Sequence, residues 1–342
     1  MAVETAVVAR PVSAWARGAR EGARRYVGVL AALILLVIWL SVTQSAFSSS
    51  GNIVNILQAS AALLALSVGA TFVMLVGGFD LSIGGMLGLS GVMLATLIQS
   101  GIPTGLAIAI VVLGGTLVGL VLNGVLIARA GLSFFVVTLG TGSLFTGAAE
   151  VKTQGNTQGL YTNSLIHAIG TNTVVGVPVA VIIAAVVLLV GMAVLHFTGF
   201  GRQVFVVGGN REAARLAGIS VIGVEIAVYA IAAGCAAIAG VLTTGRLASA
   251  APDTGTGMEL TAAAAVMIGG TSLFGGSGGL FGTLLGVLFL GVLSNGLTLA
   301  GISAFWQDVV TGVVLILAIA VDRFVVKSSA DRGPALASIT KT

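Results

Sequence analysis

Long apolar stretches follow one another from residue 27 to residue 322, separated by short polar or glycine-rich breaks. A helix that crosses a membrane needs roughly 20 mostly apolar residues, within a range of about 17 to 25. The pattern therefore predicts an all-α fold, a polytopic transmembrane helix bundle of about ten spans. The predicted spans are 27–46, 54–76, 83–99, 105–128, 133–149, 174–197, 222–243, 260–273, 279–298 and 304–322.

The stretch 260–273 is short for a crossing and also fits a half-membrane or re-entrant piece, so the predicted range is about eight to ten spans. Basic residues flank the whole set of spans. By the positive-inside rule, this distribution places both termini in the cytoplasm and requires an even number of spans. The flanking basic residues are Arg10, Arg17, Arg20, Arg24 and Arg25 before the first span, and Arg323, Lys327, Arg332 and Lys341 after the last.

The chain is thus predicted to contain one transmembrane domain, residues 27–322, between a cytoplasmic basic segment, 1–26, and a cytoplasmic tail, 323–342. On the outer side, the Thr-, Asn- and Gly-rich stretch 150–173 is either a solvated connector or a segment packed across the entrance. On the inner side, the segment 198–221 is the one long polar break.

Composition excludes a soluble protein. The chain is 57% hydrophobic and only 8% charged, whereas soluble domains carry about 25% charged residues. The net charge of +4 comes from residues at span ends, so it reports topology and predicts no nucleic-acid partner. The single cysteine, Cys235, lies in an apolar run and is expected to behave as a small hydrophobe.

Two regions of the chain share one pattern, an apolar lead, a Gly-Gly break, a polar turn and a glycine-spaced helix. They are residues 73–94 and 266–288, and such repeated breaks often meet near a substrate pathway in transporters. In the first break, Asp80 either caps the helix that follows it or takes part in a gate or substrate path. The residues predicted for the breaks and the pathway are Gly77, Gly78, Asp80, Leu81, Ser82, Gly269 and Gly270.

The chain carries no recognisable energy-converting chemistry of its own. None of its three lysines follows a glycine as a P-loop requires, and His167 and His196 have no partner at metal-ligand spacing. The acidic residues sit near span ends, not at mid-depth where ion-coupled carriers bury them. We therefore predict that this chain binds no cofactor and no metal, and that energy enters from another protein.

The polar segment 198–221 is the predicted place for such a protein to bind, and an ordinary loop is the alternative. Residues 211–218 read as a short amphipathic helix, with Asn210 as its N-cap and Gly218 as its stop. Its Ala and Leu side chains can form a small apolar face beside its charged residues. A helix of this kind can dock into a groove on a soluble partner.

These segments resemble a known family. GGNREAARLAGIS, residues 208–220, is similar to the cytoplasmic coupling segment of permease subunits of bacterial ABC importers. GGFDLSIGGMLGLSGV, residues 77–92, resembles a motif of the ribose/xylose/galactose-type sugar permeases. The stretch 262–297 resembles the C-terminal signature of the same family, and together these resemblances cover most of residues 50–322.

The resemblance implies a transmembrane permease that imports a monosaccharide across the inner membrane. Its implied partners are a cytoplasmic ATPase that hydrolyses ATP with Mg, a periplasmic or lipid-anchored sugar-binding protein, and a second permease copy in a homodimer. The implied coupling residues are Gly209, Asn210, Arg211, Glu212, Ala213, Ala214 and Gly218. A self-sufficient secondary carrier or facilitator is the main alternative, followed by a membrane scaffold and an intramembrane enzyme.

Overall fold

The computed structural model describes residues 12–303, 305–307, 309–313, 315–317 and 320. The predictions for residues 1–11 and for the tail 323–342 lie outside these residues. The helices are α1 Val12–Thr43, α2 Ser50–Leu75, α3 Ile83–Gln99, α4 Thr104–Val118, a π-helix Gly119–Val125, α5 Leu126–Ala128, α6 Phe134–Thr153, α7 Ser164–Thr171, α8 Val179–Phe197, α9 Gly199–Gly209, α10 Arg211–Leu216, α11 Val221–Leu247, α12 Met258–Ile268 and α13 Leu280–Leu299. Four two-residue strands, β1 Gln158–Gly159, β2 Thr173–Val174, β3 Val177–Pro178 and β4 Ser249–Ala250, complete the fold.

The predicted helical membrane fold is confirmed. Among the described residues, 7 helices are long and apolar enough to cross a membrane, and three shorter apolar helices accompany them. The shorter helices are Ile83–Gln99, Met258–Ile268 and Phe305–Leu317. Every predicted span overlaps one of these ten segments, while the number that crosses the bilayer and the side on which the termini lie stay predictions.

Helix α12 is too short to cross a membrane alone. Its 11 residues measure about 16 Å, roughly half of a hydrocarbon core of about 30 Å. The non-helical segment before it, 249–257, packs along α3. A β-carbon at Gly88 would lie 2.6 Å from the Pro252 carbonyl oxygen, and one at Gly84 would lie 2.5 Å from that of Gly255. The half-membrane interpretation of 260–273 therefore fits better than a full span, and the helix ends at Ile268, earlier than expected.

Part of the stretch 150–173 packs on the bundle, while most of its residues are exposed. Its strand β1 pairs with β4, and its helix α7 buries Ile166 and Ile169. Asn163 caps α7 by accepting a hydrogen bond from the Ile166 backbone N–H, at 3.0 Å. Gly170 lies so close to the Gly245 backbone that a side chain has no room there.

Helix α11 forms the centre of the bundle and contacts α2, α3, α4 and the π-helix. Small residues line these contacts: Gly69 faces Ala232, and Gly119 faces Ala233. Between helices in lipid there is no hydrophobic driving force, so close van der Waals packing of small residues holds the bundle together.

We name the two ends of the bundle by one residue each. The Asn210 end carries the connections 76–82, 198–220 and 269–279, and the Ser50 end carries 44–49, 154–178 and 299–303. The predicted topology places the Asn210 end in the cytoplasm and the Ser50 end outside.

Candidate functional site

Helix α10 begins and ends where its sequence predicts. The Asn210 side-chain oxygen accepts a hydrogen bond from the Ala213 N–H, at 2.9 Å, which caps the helix start. Gly218 has a φ of +77°, and the Ile219 N–H bonds the Ala214 carbonyl while the Gly218 N–H bonds that of Arg215. This pair of bonds is a Schellman stop, which needs a left-handed residue and so favours glycine.

The outward surface of α10 combines charge with a small apolar face. Ala213, Leu216 and Ala217 are exposed, and their three- and four-residue spacing places them on one side of the helix. Leu216 is 82% exposed, whereas Ala214 alone is buried against the bundle. Glu212 and Arg215, 3.7 Å apart, are also largely exposed. The helix therefore offers a surface that another protein can bind.

Arg211 fastens α10 to the bundle. Its guanidinium lies 2.6 Å from the Glu225 carboxylate and 3.5 Å from the Val76 carbonyl oxygen. Glu225 begins the second turn of α11, and Val76 follows the last residue of α2. The sequence analysis missed this pairing, for which an acidic residue one turn inside an apolar helix was the available signal.

The segment 198–221 is more ordered than expected, because residues before Asn210 form helix α9. The sequence analysis predicted no helix in this segment before Asn210. Gly201 and Gly208 press against neighbouring backbone, where no β-carbon fits. The prediction of one helix in this segment is thus incomplete.

At the Asn210 end, glycines from three connections meet at one point, which we call the glycine junction: Gly77, Gly208, Gly209, Gly275 and Gly276. The Gly276 N–H donates to the Leu75 carbonyl oxygen, at 2.9 Å. A β-carbon at Gly208 would overlap the same carbonyl, and one at Gly275 would lie 2.7 Å from the Gly77 nitrogen. The connections 76–82 and 269–279 therefore contact each other through Gly77 and Gly275, next to the start of α10.

Gly269 and Gly270 are not part of the glycine junction. Gly269 follows the last residue of α12 and packs on the Gly282 backbone, while Gly270 adopts a φ of +83° that lets the chain turn. Gly78 lies under the Tyr229 hydroxyl, and the Leu81 carbonyl faces Gly142. These residues shape the breaks, and their role in a pathway stays a prediction.

Asp80 anchors a buried polar network that joins three elements. Its Oδ1 accepts hydrogen bonds from the Ser82 N–H, at 2.8 Å, and from the Ser82 hydroxyl, at 2.6 Å. Asn123 in the π-helix donates to the Ser82 hydroxyl oxygen, at 2.7 Å. Thr141 in α6 donates to the Asn123 carbonyl oxygen, at 2.8 Å.

Asp80 accepts from the backbone and side chain of Ser82, the residue just before α3, and no side-chain hydrogen bond caps α3 itself. The sequence analysis missed Asn123 and Thr141, which lie in otherwise apolar spans. A π-helical turn at Asn123 was not signalled by the sequence, although such turns often occur at functional sites.

Within the described part of the chain, no group of three His, Cys, Asp or Glu side chains could hold a metal ion. The Asn210 end instead presents the exposed helix α10. An ion pair joins α10 to α11, and the glycine junction beside it joins the connections 76–82 and 269–279.

The N-cap of α10 can be tested by exchanging Asn210 for alanine. We expect this change to reduce the local stability of α10 by about 0.5–2 kcal/mol, because the Ala213 N–H loses its acceptor. Hydrogen exchange at residues 211–217, measured in detergent, should then speed up. Asn210→Asp keeps an acceptor and serves as the matched control, so equal exchange in both variants would contradict the capping role.

Known proteins resemble this chain over most of its length. Residues 52–319 match the family described as "Branched-chain amino acid transport system / permease component". The chain is 40% identical over 306 residues to the ribose import permease protein RbsC of Bacillus subtilis (strain 168), covering 89% of this chain and 94% of that protein.

Two further relatives come from Escherichia coli (strain K12). The ribose import permease protein RbsC is 39% identical over 296 residues, which cover 86% of this chain and 92% of the relative. The D-allose transport system permease protein AlsC is 36% identical over 297 residues, which cover 86% and 90%. No solved structure gives a significant match.

Proposed function

This chain belongs to the permease family described as "Branched-chain amino acid transport system / permease component", and we propose that it is the membrane permease subunit of an ATP-binding-cassette importer. We propose a monosaccharide, a pentose or a hexose, as its cargo. The resemblance identified from the sequence is confirmed by the family match and by the ribose and allose permeases. The chain is a multi-pass inner-membrane transport protein and not an enzyme.

In this proposal, α10 is the element through which the ATPase acts. The observation that carries this proposal is that α10 has an exposed apolar face and is held to the bundle by its own contacts. Ala213, Leu216 and Ala217 face away from the bundle, while Arg211 bonds Glu225 and Val76. A force on α10 therefore reaches the ends of α2 and α11 directly.

The energy comes from ATP and Mg²⁺ held by the partner subunit, and this chain binds no cofactor. When two ATPase subunits close on ATP, the docked α10 helices move with them. The glycine junction passes this movement to the connections 76–82 and 269–279, and the bundle alternates between outward- and inward-facing states. A second permease copy and a periplasmic or lipid-anchored sugar-binding protein complete the importer.

The docking role is tested by Leu216→Glu in proteoliposomes that also hold the ATPase and the binding protein. We expect sugar-stimulated ATP hydrolysis to fall several-fold, because a desolvated charge replaces an apolar contact. Since Leu216 is exposed, the variant should insert and unfold like the native protein. Glu212→Lys and Ala213→Trp, on the same helix, should act in the same direction.

Val175→Glu is the matched control, because Val175 is 99% exposed but lies at the Ser50 end. It should still bind the ATPase in a co-purification assay. Normal coupling in the Leu216→Glu variant would contradict the docking role. Sugar transport by the purified chain without ATP would favour the alternative, a self-sufficient carrier.

A further inference from the structure

A cleft borders α10 on the side away from its exposed apolar face. Arg211 and Arg215, which both line the cleft, are four residues apart and so share one side of the helix. Because an α-helix turns about 100° per residue, this side lies opposite Ala213 and Leu216, the residues proposed to meet the ATPase. The cleft has a volume of about 590 Å³, within the range of about 300–1,000 Å³ for small-molecule sites.

Two connections at the Asn210 end form walls of this cleft. One is the turn between α5 and α6, which contributes residues 131–133, and the other is the stretch 219–222 that leads into α11. The Ser220 hydroxyl oxygen accepts a hydrogen bond from the Gly223 N–H, at 3.2 Å, and so caps α11. The first turn of this 27-residue helix therefore lies at the cleft, where the helix dipole favours negative charge.

The two arginines keep hydrogen-bond donors free for a ligand. Arg211 uses one guanidinium nitrogen, Nη2, for both Glu225 and Val76. Arg215 is largely exposed, and its pairing with Glu212 is a loose surface contact at 3.7 Å that contributes little. The planar fork of a guanidinium has further N–H donors, which suit an anionic group. Glu225 is the one carboxylate among the described residues that line the cleft, and Arg211 balances its charge.

Tyr229 supplies the observation that points to a ligand. The residue is 2% exposed and lines the cleft. Its hydroxyl oxygen lies 2.8 Å from the position of a β-carbon at Gly78, and it forms no hydrogen bond with any other described residue. A buried hydroxyl without a partner costs free energy, and a ligand in the cleft would supply the partner.

The cleft also reaches apolar side chains on the outer surface of the bundle. Leu132 and Ile222 line it and are exposed. Phe135, in the first turn of α6, is exposed beside them. In a bundle that spans a membrane, exposed apolar side chains at the ends of spans contact lipid. Hydrogen-bond donors with positive charge therefore lie next to a surface that suits acyl chains.

We propose that this cleft binds the phosphate group of an anionic membrane phospholipid. The phosphate accepts hydrogen bonds from the two arginines and the Tyr229 hydroxyl, and the acyl chains lie along the exposed apolar side chains. Basic pockets between membrane helices on the cytoplasmic side bind anionic headgroups, and the predicted topology places the Asn210 end on that side. The proposal concerns lipid binding alone and does not depend on the importer function.

The test measures the dissociation constant of phosphatidylglycerol by native mass spectrometry of the full chain, purified in detergent. We expect Arg215→Gln and Tyr229→Phe each to weaken binding about tenfold, the factor for one lost hydrogen bond to a charged group. Both variants should fold, because Arg215 is exposed and the Tyr229 hydroxyl has no protein partner to lose. Arg202→Gln and Tyr161→Phe, at exposed residues that do not line the cleft, are the matched controls and should bind like the native chain.

Two further measurements locate the lipid and identify its source. Hydrogen exchange at residues 129–133 and 211–217 should slow when phosphatidylglycerol is bound. Glycerol phosphate and inorganic phosphate carry the same phosphoryl chemistry without acyl chains. We expect neither to raise the thermal unfolding temperature at concentrations where phosphatidylglycerol raises it.

Four outcomes overturn the lipid site. Native affinity in both Arg215→Gln and Tyr229→Phe would remove the cleft from the binding, and an equal loss in Arg202→Gln would show general charge attraction only. Stabilisation by the soluble phosphates alone would assign the cleft to a free phosphate. A lower unfolding temperature of lipid-free Tyr229→Phe would show that its hydroxyl already has a partner within the protein.

Discussion

Exchanging Gly208 for alanine should destabilise the protein strongly, whereas the same exchange at the next residue, Gly209, should leave it stable. This result is expected because the two glycines differ only in their surroundings. A β-carbon at Gly208 would overlap the Leu75 carbonyl oxygen and lie 2.6 Å from the Gly276 nitrogen. At Gly209, a β-carbon meets nothing within 4 Å.

The cost at Gly208 is large because only backbone atoms surround it. Backbone cannot move aside as the end of a flexible side chain can. Alanine therefore has to separate α9 from α2, which also breaks the bond between the Gly276 N–H and the Leu75 carbonyl. Overpacking of a tight core costs about 1–3 kcal/mol and occasionally more, and the broken bond adds about 1 kcal/mol.

Thermal unfolding of the two purified variants in the same detergent measures this difference. Alanine has a better helix propensity than glycine, so Gly209→Ala should match or slightly exceed the native unfolding temperature. Equal stability of the two variants would show that the glycine junction is not closely packed. Because stability is the readout, the result does not depend on the importer's partners.

Asp80→Ala should be nearly as damaging, through a different mechanism. The change leaves the Ser82 N–H and hydroxyl without their acceptor in a buried site. Each unsatisfied buried polar group costs about 1–3 kcal/mol. We therefore expect a loss of about 2–4 kcal/mol in the free energy of unfolding, together with loosened packing between α3, the π-helix and α6.

Asp80→Asn is the matched control, because it keeps the size of the side chain and one acceptor oxygen. Its loss should be clearly smaller than that of Asp80→Ala. A double-mutant cycle with Asn123→Ala measures the coupling within the network. If the effects of Asp80→Ala and Asn123→Ala simply add, the two residues do not act together and the proposed network is wrong.

Much of the fold was predictable, because local sequence encodes it. Spans were visible as apolar stretches, and the boundaries of α10 were visible as Asn210 and Gly218. Helix α9 was missed because its glycines have low helix propensity. The close backbone contacts that require glycine there are visible only in the structure. The partial span α12 was anticipated only as an alternative, because its length fits either interpretation.

By itself, the sequence determined that this protein lies in a membrane, that it carries no nucleotide motif, and that residues 208–220 resemble a coupling segment. These features depend on residue type and short-range spacing. Only the tertiary structure decided that Gly77, Gly208 and Gly276 meet, that Asp80 shares a network with Asn123, and that Tyr229 lines a cleft with two arginines. Such contacts join residues far apart in the chain, and the physical reason is packing. In lipid, helices associate through close steric fit and hydrogen bonds, and neither leaves a periodic pattern in the sequence.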